Sequence, residues 1–204
     1  MSGLRAAVIW GLVGTAMGLP AVLALTSPLL QWRDPVYIVA GFAGVVGMAL
    51  LLAQLLLVGG HLPGLTGMRG RFLHRVIGAL LVVAVVVHVV GLWITSPPDV
   101  IDALLFVSPT PFSAWGVIAM WAVFAAALLG ALRRRFTARL RLWRILHSVM
   151  VLIVVIGTIV HAVQIEGTME PVSKWLLAGA LGVALVRVIR DRRVWAFFAT
   201  GRAK

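Results

Sequence analysis

Long apolar stretches, most of them free of charge, constrain the fold of this chain more than any other feature. A helix needs about 20 apolar residues to cross the hydrocarbon core of a membrane, and the backbone polar groups in lipid must be satisfied within the segment. We predict six membrane-spanning helices, near residues 6–27, 36–59, 72–95, 114–132, 145–164 and 173–189. Because 62% of the residues are hydrophobic and only 12% are charged, residues 1–204 are predicted to form one all-α integral membrane domain, a six-transmembrane-helix bundle.

The basic residues indicate how the helices are oriented. Sixteen of the eighteen lysines and arginines fall on one side of the six-helix arrangement, most densely between the fourth and fifth spans. Cytoplasmic loops of membrane proteins are enriched in lysine and arginine. Both termini and the tail 191–204 are therefore predicted to be cytoplasmic, with the chain in a bacterial inner membrane. This topology and anionic lipid explain the net charge of +12, so nucleic acid is not expected as a partner.

Four histidines share one spacing on two of the predicted helices. His74 and His88 are fourteen residues apart on the third span, and His147 and His161 are fourteen apart on the fifth. Fourteen residues turn a helix through about 1400°, about 40° short of four full turns, and advance it roughly 21 Å. Both imidazoles of each helix therefore leave the same face. Polar groups inside a membrane are costly, so this repetition indicates a function.

Facing imidazoles at two depths are typical of haem iron ligation. Both helices are predicted to run from inside to outside, so His74 faces His147 near the cytoplasm and His88 faces His161 near the outer surface. We predict two haems, with these four residues as the metal ligands. The chain contains no cysteine, which excludes thioether attachment and cysteine-ligated clusters. The cofactor is therefore expected to be non-covalently bound haem b.

Four neighbouring residues are predicted to complete the haem sites. Gly78 and Gly157 lie one helical turn from a histidine, where a missing side chain would let a flat macrocycle approach the backbone. Arg75 and Arg144 lie near the inner pair, suited to hydrogen bonds with haem propionates. A topological role alone explains the two arginines equally well. No catalytic side chain is predicted.

Three other polar residues have ordinary explanations. His61, between the second and third spans, is expected to be solvated, with a quinone or flavin site on the cytoplasmic side as the alternative. Gln54 and Gln164 are expected to make interhelical hydrogen bonds, with orientation of ligands as the alternative.

The segments around the histidines resemble the ferric reductase-like transmembrane domain. The run 73–78 (LHRVIG) followed by His88, and the run 143–147 (WRILH) followed by His161, carry a resemblance that covers about residues 36–190. That superfamily includes the membrane parts of ferric reductases and NADPH oxidases, and the haem-binding membrane subunit of the periplasmic methionine sulfoxide reductase system. The resemblance implies a six-helix bundle with b-type haems on the four histidines and electron flow from the cytoplasm to the outside.

These patterns predict a di-haem b-type electron-transfer protein. In oxidases and ferric reductases of this type a flavin- and nicotinamide-binding domain follows the last helix, whereas here the tail 191–204 is short and no G-x-G-x-x-G motif occurs. The expected donor is a cytoplasmic flavin reductase or membrane quinol, which could dock near the aromatic tail segment 194–198. The expected acceptor is a periplasmic partner reductase, with ferric iron or oxygen as the second choice.

Two alternatives remain open. The chain could be a quinol-linked cytochrome b subunit of a respiratory dehydrogenase, because ligation by two histidines recurs in unrelated helical bundles. It could also be a haem-free transporter or assembly factor that uses membrane histidines for protons or metal.

Overall fold

The structure is a computed structural model that describes residues 3–191, and no strand occurs in that part of the chain. The α-helices are α1 (Gly3–Leu25), α2 (Pro35–Gly59), α3 (Gly67–Thr95), α4 (Pro97–Leu104), α5 (Pro111–Ala131), α6 (Leu140–Gln164) and α7 (Pro171–Asp191). Short 3-10 segments follow α1 and α5. The all-α prediction is confirmed. Apart from Asp191, the predicted tail, with its aromatic segment 194–198, lies outside the described residues.

Within the described residues, five helical stretches are long and apolar enough to cross a membrane. Four of them are α1, α2, α3 and α7, and the fifth is the 54-residue stretch Pro111–Gln164, which contains both α5 and α6. A straight helix of that length would measure about 80 Å, far more than the hydrocarbon core of about 30 Å. The chain is a multi-pass membrane protein.

The stretch Pro111–Gln164 folds back on itself at the 3-10 segment Leu132–Arg139. Phe136 within that segment leaves helical geometry, with φ −98° and ψ 19°. The indole N–H of Trp143 donates a hydrogen bond to the carbonyl of Leu129 across the turn, at 2.7 Å. The two helices α5 and α6 therefore form an antiparallel hairpin, and the arginine-rich run lies at its turn.

Local signals set the helix ends. Four helices begin at a proline, namely Pro35, Pro97, Pro111 and Pro171. Proline suits this position because the first helical N–H has no partner in the helix. The Asp34 carboxylate also accepts the Val36 N–H at 2.7 Å, and α2 ends at Gly60 in the left-handed region, with φ 74°. Each helix is thus delimited by residues that the sequence itself supplies.

Two antiparallel hairpins, α2 with α3 and α5 with α6, form the centre of the bundle. Helix α7 packs against α2 and α6, and α1 packs against α2 and α7. Leu177, Leu181 and Val155 are almost fully buried where α6 and α7 meet. Large apolar side chains on α1 and α3 remain exposed, as expected for helices that face lipid. This arrangement turns one face of α3 toward one face of α6.

Candidate functional site

The structure brings the four histidines together as two pairs between α3 and α6. The ring centroids of His74 and His147 are 6.4 Å apart with an interplanar angle of 71°. Those of His88 and His161 are 6.3 Å apart, with an angle of 82°. We call the first, at the arginine-rich end of the bundle, the inner pair and the second the outer pair. All four rings are partly buried.

Both separations fit one metal ion held between two imidazoles. A metal–imidazole nitrogen bond is about 2.0 Å long, and a nitrogen lies about 1.2 Å from the centroid of a five-membered ring with bonds near 1.35 Å. Two imidazoles on opposite sides of one ion would therefore have centroids about 6.4 Å apart. Aromatic rings in direct contact span about 4.5–7 Å, so the hydrogen bonds of the rings are needed to choose between the two explanations.

The outer pair carries the hydrogen bonds that a metal ligand needs. His88 Nδ1 lies 2.7 Å from the carbonyl oxygen of Ala40 on α2, and His161 Nδ1 lies 2.8 Å from that of Phe112 on α5. A carbonyl can only accept, so each Nδ1 carries the proton and each Nε2 presents its lone pair. Such a bond to the second ring nitrogen fixes the tautomer and orientation of a metal-binding histidine.

Two glycines that sequence reasoning missed make these hydrogen bonds possible. A β-carbon at Gly44 would lie 3.1 Å from His88 Nδ1, and one at Gly116 would lie 2.8 Å from His161 Nδ1. Each glycine follows the accepting residue by four positions, which is about one helical turn. It therefore lies on the same helix face as the carbonyl that accepts the hydrogen bond. The missing side chain lets each ring reach the backbone of the neighbouring helix.

The two hairpins are also related by a nearly constant offset in sequence, 73 residues for the ligands and 72 for the residues that support them. Adding 73 to the number of either histidine on α3 gives its partner on α6. Adding 72 to Ala40 or Gly44 on α2 gives Phe112 or Gly116 on α5. Ligand, acceptor and glycine therefore recur together in the outer pair, and each hairpin supplies one ligand to each pair.

Gly157, predicted to border a macrocycle, lies against a neighbouring helix in the structure. A β-carbon there would lie 3.1 Å from both the Ala119 β-carbon and the Trp115 carbonyl oxygen. The glycine therefore faces α5 and brings α5 and α6 close together, because small residues let membrane helices approach. At the equivalent position of the hairpin between α2 and α3, Gly47 on α2 lies beside Ala84 on α3. There the glycine is on the first helix of the hairpin, whereas Gly157 is on the second.

Gly78 also faces a neighbouring helix. The atom nearest to a β-carbon at Gly78 is Nε2 of Gln54, at 2.9 Å. That amide nitrogen donates a hydrogen bond to the backbone carbonyl of His74, also at 2.9 Å. The missing side chain at Gly78 thus leaves room for the Gln54 side chain on α2.

The inner pair has a different environment from the outer pair. The indole of Trp143 stacks on the His147 ring, with centroids 5.3 Å apart and planes 10° apart. The Nδ1 atoms of His74 and His147 are buried and make no hydrogen bond to any described residue.

The other predicted polar residues lie around the inner end of the bundle or outside the pairs. Arg75 and Arg144 are exposed, next to His74 in the chain and one turn before His147 respectively. His61 belongs to neither pair, and its Nε2 lies 3.5 Å from an oxygen of Asp191. Gln164 is exposed at the end of α6.

Residues 3–191 contain no group of three or more histidine, cysteine or acidic side chains that could hold a metal ion. A site built from protein ligands alone would need such a group, since structural and catalytic metal sites use three or more. A porphyrin already supplies four nitrogens to its iron and leaves two axial positions. The paired histidines fit that requirement.

The fold and the site together define a multi-pass helical membrane protein with two facing histidine pairs in its interior. The chain belongs to the family described as ferric reductase like transmembrane component, whose family model matches residues 43–158, more than half of the chain. That range includes three of the four histidines, and His161 lies just beyond it. No curated protein and no solved structure matches the chain. Membership of the family implies electron transfer in the membrane.

Proposed function

We propose that the chain is a di-haem b-type carrier that moves electrons across the bacterial inner membrane, from the cytoplasmic to the outer side. The observation that carries this proposal is the geometry of the two histidine pairs. Their ring centroids are 6.4 and 6.3 Å apart, as two axial imidazoles of one iron require, and the outer rings have Nδ1 bonded and Nε2 free.

Each pair would hold one haem between α3 and α6. His74 and His147 are the proposed ligands of the inner haem, and His88 and His161 those of the outer haem. When bound, the haems supply one-electron redox chemistry at two depths of the membrane. The exposed arginines Arg75 and Arg144 are suited to propionates at the inner end, because guanidinium groups pair with carboxylates in a bidentate manner.

The residues between the two pairs would insulate the electron path. Fourteen helical residues correspond to roughly 21 Å along the axis. In that interval the ligand faces carry Leu81 and Val85 on α3, and Val151 and Val154 on α6. All four belong to or pack against the apolar core. An apolar interval keeps water and ions out, so electrons would cross while protons and ions would not.

We further propose six membrane crossings with both termini in the cytoplasm. The hairpin turn at Leu132–Arg139 supports counting α5 and α6 as separate crossings, because α5 and α6 are 21 and 25 residues long. The arginines of that turn and those at the start of α3 support a cytoplasmic inner end by the positive-inside rule.

The charge of the inner end supports a cytoplasmic protein donor. Arg133, Arg134, Arg135 and Arg139 are exposed at the turn between α5 and α6. A concentrated positive surface speeds the encounter with an acidic partner, which favours a flavin reductase as donor. For the acceptor we propose a periplasmic partner reductase first, and ferric iron or oxygen second.

Membrane quinol is the second candidate donor, favoured by the His61–Asp191 pair. Quinol oxidation releases protons, and a histidine 3.5 Å from a carboxylate at the inner end of the bundle could accept them. Reduction of the haems by a quinol analogue without any flavoprotein, and its loss in His61→Ala, would favour this donor. Unchanged reduction in that variant would count against it.

Proteoliposomes test the central proposal. Purified holoprotein is reconstituted into vesicles that contain ferricyanide, and a membrane-impermeant reductant is added outside. We expect reduction of the trapped ferricyanide to depend on the protein. Replacement of His74 or of His161 by alanine should abolish it, because either change removes one haem from the path.

The matched control is His61→Ala, which removes a histidine outside both pairs and should leave the rate of this reaction unchanged. Equal rates for the wild type, His74→Ala and His161→Ala would contradict the proposed function. So would a rate in the wild type no higher than that of empty vesicles.

A further inference from the structure

Two of the buried polar atoms that lack hydrogen-bond partners near the inner pair belong to neighbouring groups. One is Nδ1 of His74 and the other is Oε1 of Gln54. The Gln54 amide is already anchored beside this histidine, because its Nε2 donates to the His74 carbonyl oxygen at 2.9 Å. Since that carbonyl can only accept, the amide orientation is fixed, and the acceptor Oε1 is left over. Gln54 is only 9% exposed, so leaving Oε1 unpaired is costly.

The internal repeat independently leads to position 54. In the outer pair the acceptors are the carbonyls of residues 40 and 112. The ligands of the inner pair lie fourteen residues before those of the outer pair, and α2 and α5 run antiparallel to α3 and α6. The inner acceptors are therefore expected fourteen residues later, at Gln54 and Ala126. Ala126 lies on α5, the helix that packs against α6, which carries His147.

A side chain is needed at position 54 because a glycine is missing from the repeat. The accepting residues 40 and 112 are each followed four positions later by a glycine, Gly44 or Gly116, and the expected acceptor residue 126 is followed in the same way by Gly130. The equivalent of these glycines after Gln54 is Val58. Position 54 therefore lacks the glycine that accompanies each acceptor of the outer pair, and valine carries a branched side chain instead. The amide oxygen of Gln54 offers a side-chain acceptor in place of the backbone carbonyl.

We propose that Gln54 is the positioning residue of the inner ligand His74, with Oε1 accepting the Nδ1–H while Nε2 holds the backbone carbonyl. This inference rests on the proposed function, in which His74 binds haem iron through Nε2. Gln54 fixes the tautomer of His74 as the Ala40 and Phe112 carbonyls fix those of the outer ligands. The Nδ1 acceptors of both outer ligands are backbone carbonyls, whereas the proposed acceptor for His74 is a side chain.

Because the proposed acceptor is a side chain, substitution of Gln54 should change how strongly the His74 imidazole donates electron density to the iron. A carboxylate in place of the amide accepts the Nδ1–H more strongly, which makes the imidazole more basic and favours ferric iron. An aliphatic side chain removes the acceptor and has the opposite effect. Only the inner haem should respond, because both outer ligands bond to backbone carbonyls that these substitutions leave in place.

The test compares Gln54→Glu and Gln54→Leu with the wild-type holoprotein. Haem content is measured as the pyridine haemochrome, and the two midpoint potentials are measured by an optical redox titration. We expect Gln54→Glu to keep two haems and to shift one potential to a more negative value while the other stays unchanged. Gln54→Leu should shift the same potential to a more positive value or lose that haem alone. The matched control is Gln164→Leu, an exposed glutamine on α6, which should change neither potential.

Two haems with wild-type potentials in both Gln54 variants would overturn this inference and leave the proposed function standing. Equal shifts of both potentials would also overturn it, because they indicate a general structural effect. A wild-type chain that binds no haem would overturn the proposed function and this inference with it.

Discussion

Replacing Gly116 by alanine should weaken the binding of one haem. The added β-carbon would lie 2.8 Å from Nδ1 of His161, 2.9 Å from its Cε1 and 3.4 Å from its Cγ. Non-bonded heavy atoms prefer a separation of about 3.5 Å or more. The ring must therefore move by about 0.7 Å away from α5, which stretches the 2.8 Å hydrogen bond to Phe112 beyond the usual limit of about 3.2 Å.

The loss of such a supporting bond typically costs a metal site about 10–100-fold in affinity, which corresponds to about 1.4–2.7 kcal/mol. The same change at Gly44 should have a smaller effect, because the added β-carbon would lie 3.1 Å from His88 Nδ1. Gly130 is the matched control, because it lies on the same helix as Gly116 and no atom lies within 4 Å of its added β-carbon. Alanine there should stabilise α5 by up to about 1 kcal/mol through helix propensity alone.

Haem transfer to an excess of a haem-free globin measures this effect. The wild type should lose its two haems in two phases, and Gly116→Ala should accelerate one of them by about 10–100-fold. Gly44→Ala should accelerate the same phase less, and Gly130→Ala should accelerate neither. Wild-type kinetics in Gly116→Ala would refute the reasoning, because the ring would then not lie against this glycine.

Three further predictions concern the spectrum, the inner pair and the outer end of α7. The ring planes within each pair are nearly perpendicular, at 71° and 82°. We therefore expect highly anisotropic low-spin ferric signals in electron paramagnetic resonance. Rhombic signals, which parallel imidazole planes give, would contradict this ring geometry. The substitution Trp143→Leu removes the ring stacked on His147 and the hydrogen bond to the Leu129 carbonyl. It should lower the free energy of unfolding by about 1–3 kcal/mol, measured by thermal denaturation. An unchanged melting temperature would contradict a stabilising role for this indole. Hydrogen bonds from Ser173, at the start of α7, hold the pKa of Glu170 below its ordinary value of 4.5. The Glu170 carboxylate therefore stabilises this helix start fully above pH 4.5. The stabilisation is lost as the pH falls through the lowered pKa. Melting temperatures across this acidic range should therefore depend less on pH in Glu170→Gln than in the wild type, and identical profiles would argue against the cap.

Much of the fold could be predicted because each helix carries clear local signals in the sequence. Uncharged apolar runs indicate the spans, and the prolines that begin α2, α5 and α7 indicate where three of them start. For the hairpin between α5 and α6 the sequence predicts two spans joined by an arginine-rich loop, but the chain stays helical through the 3-10 segment Leu132–Arg139. Arginine has a good helix propensity and no proline or glycine interrupts that run, so nothing in it requires an open loop.

The ligand candidates could be predicted because the fourteen-residue spacing fixes a common helix face. Their supports could not be predicted in the same way, since the Ala40 and Phe112 acceptors are backbone carbonyls that every residue has. The glycines beside them did carry a signal, because Gly116 and Gly130 repeat the fourteen-residue spacing of the histidines. The spacing of these glycines can be related to the histidines only once it is known that α5 packs against α6.

Gly157 illustrates a different difficulty. One helical turn from a ligand, a glycine can face either the ligand slot or the neighbouring helix, and about 100° of rotation per residue separates the two. Whether it faces α5 depends on which side of α6 that helix packs. Tertiary packing decides the question, and the side chain nearest to an added β-carbon at Gly157 is that of Ala119.

Haem content in paired substitutions tests the central claim most directly, because the claim assigns one histidine of α3 and one of α6 to the same iron. The wild type should contain two haems per chain. His74→Ala combined with His147→Ala, which lie in one pair, should leave one haem, whereas His74→Ala combined with His161→Ala should leave none. Equal haem content in the two double variants, or two haems in either, would contradict the account.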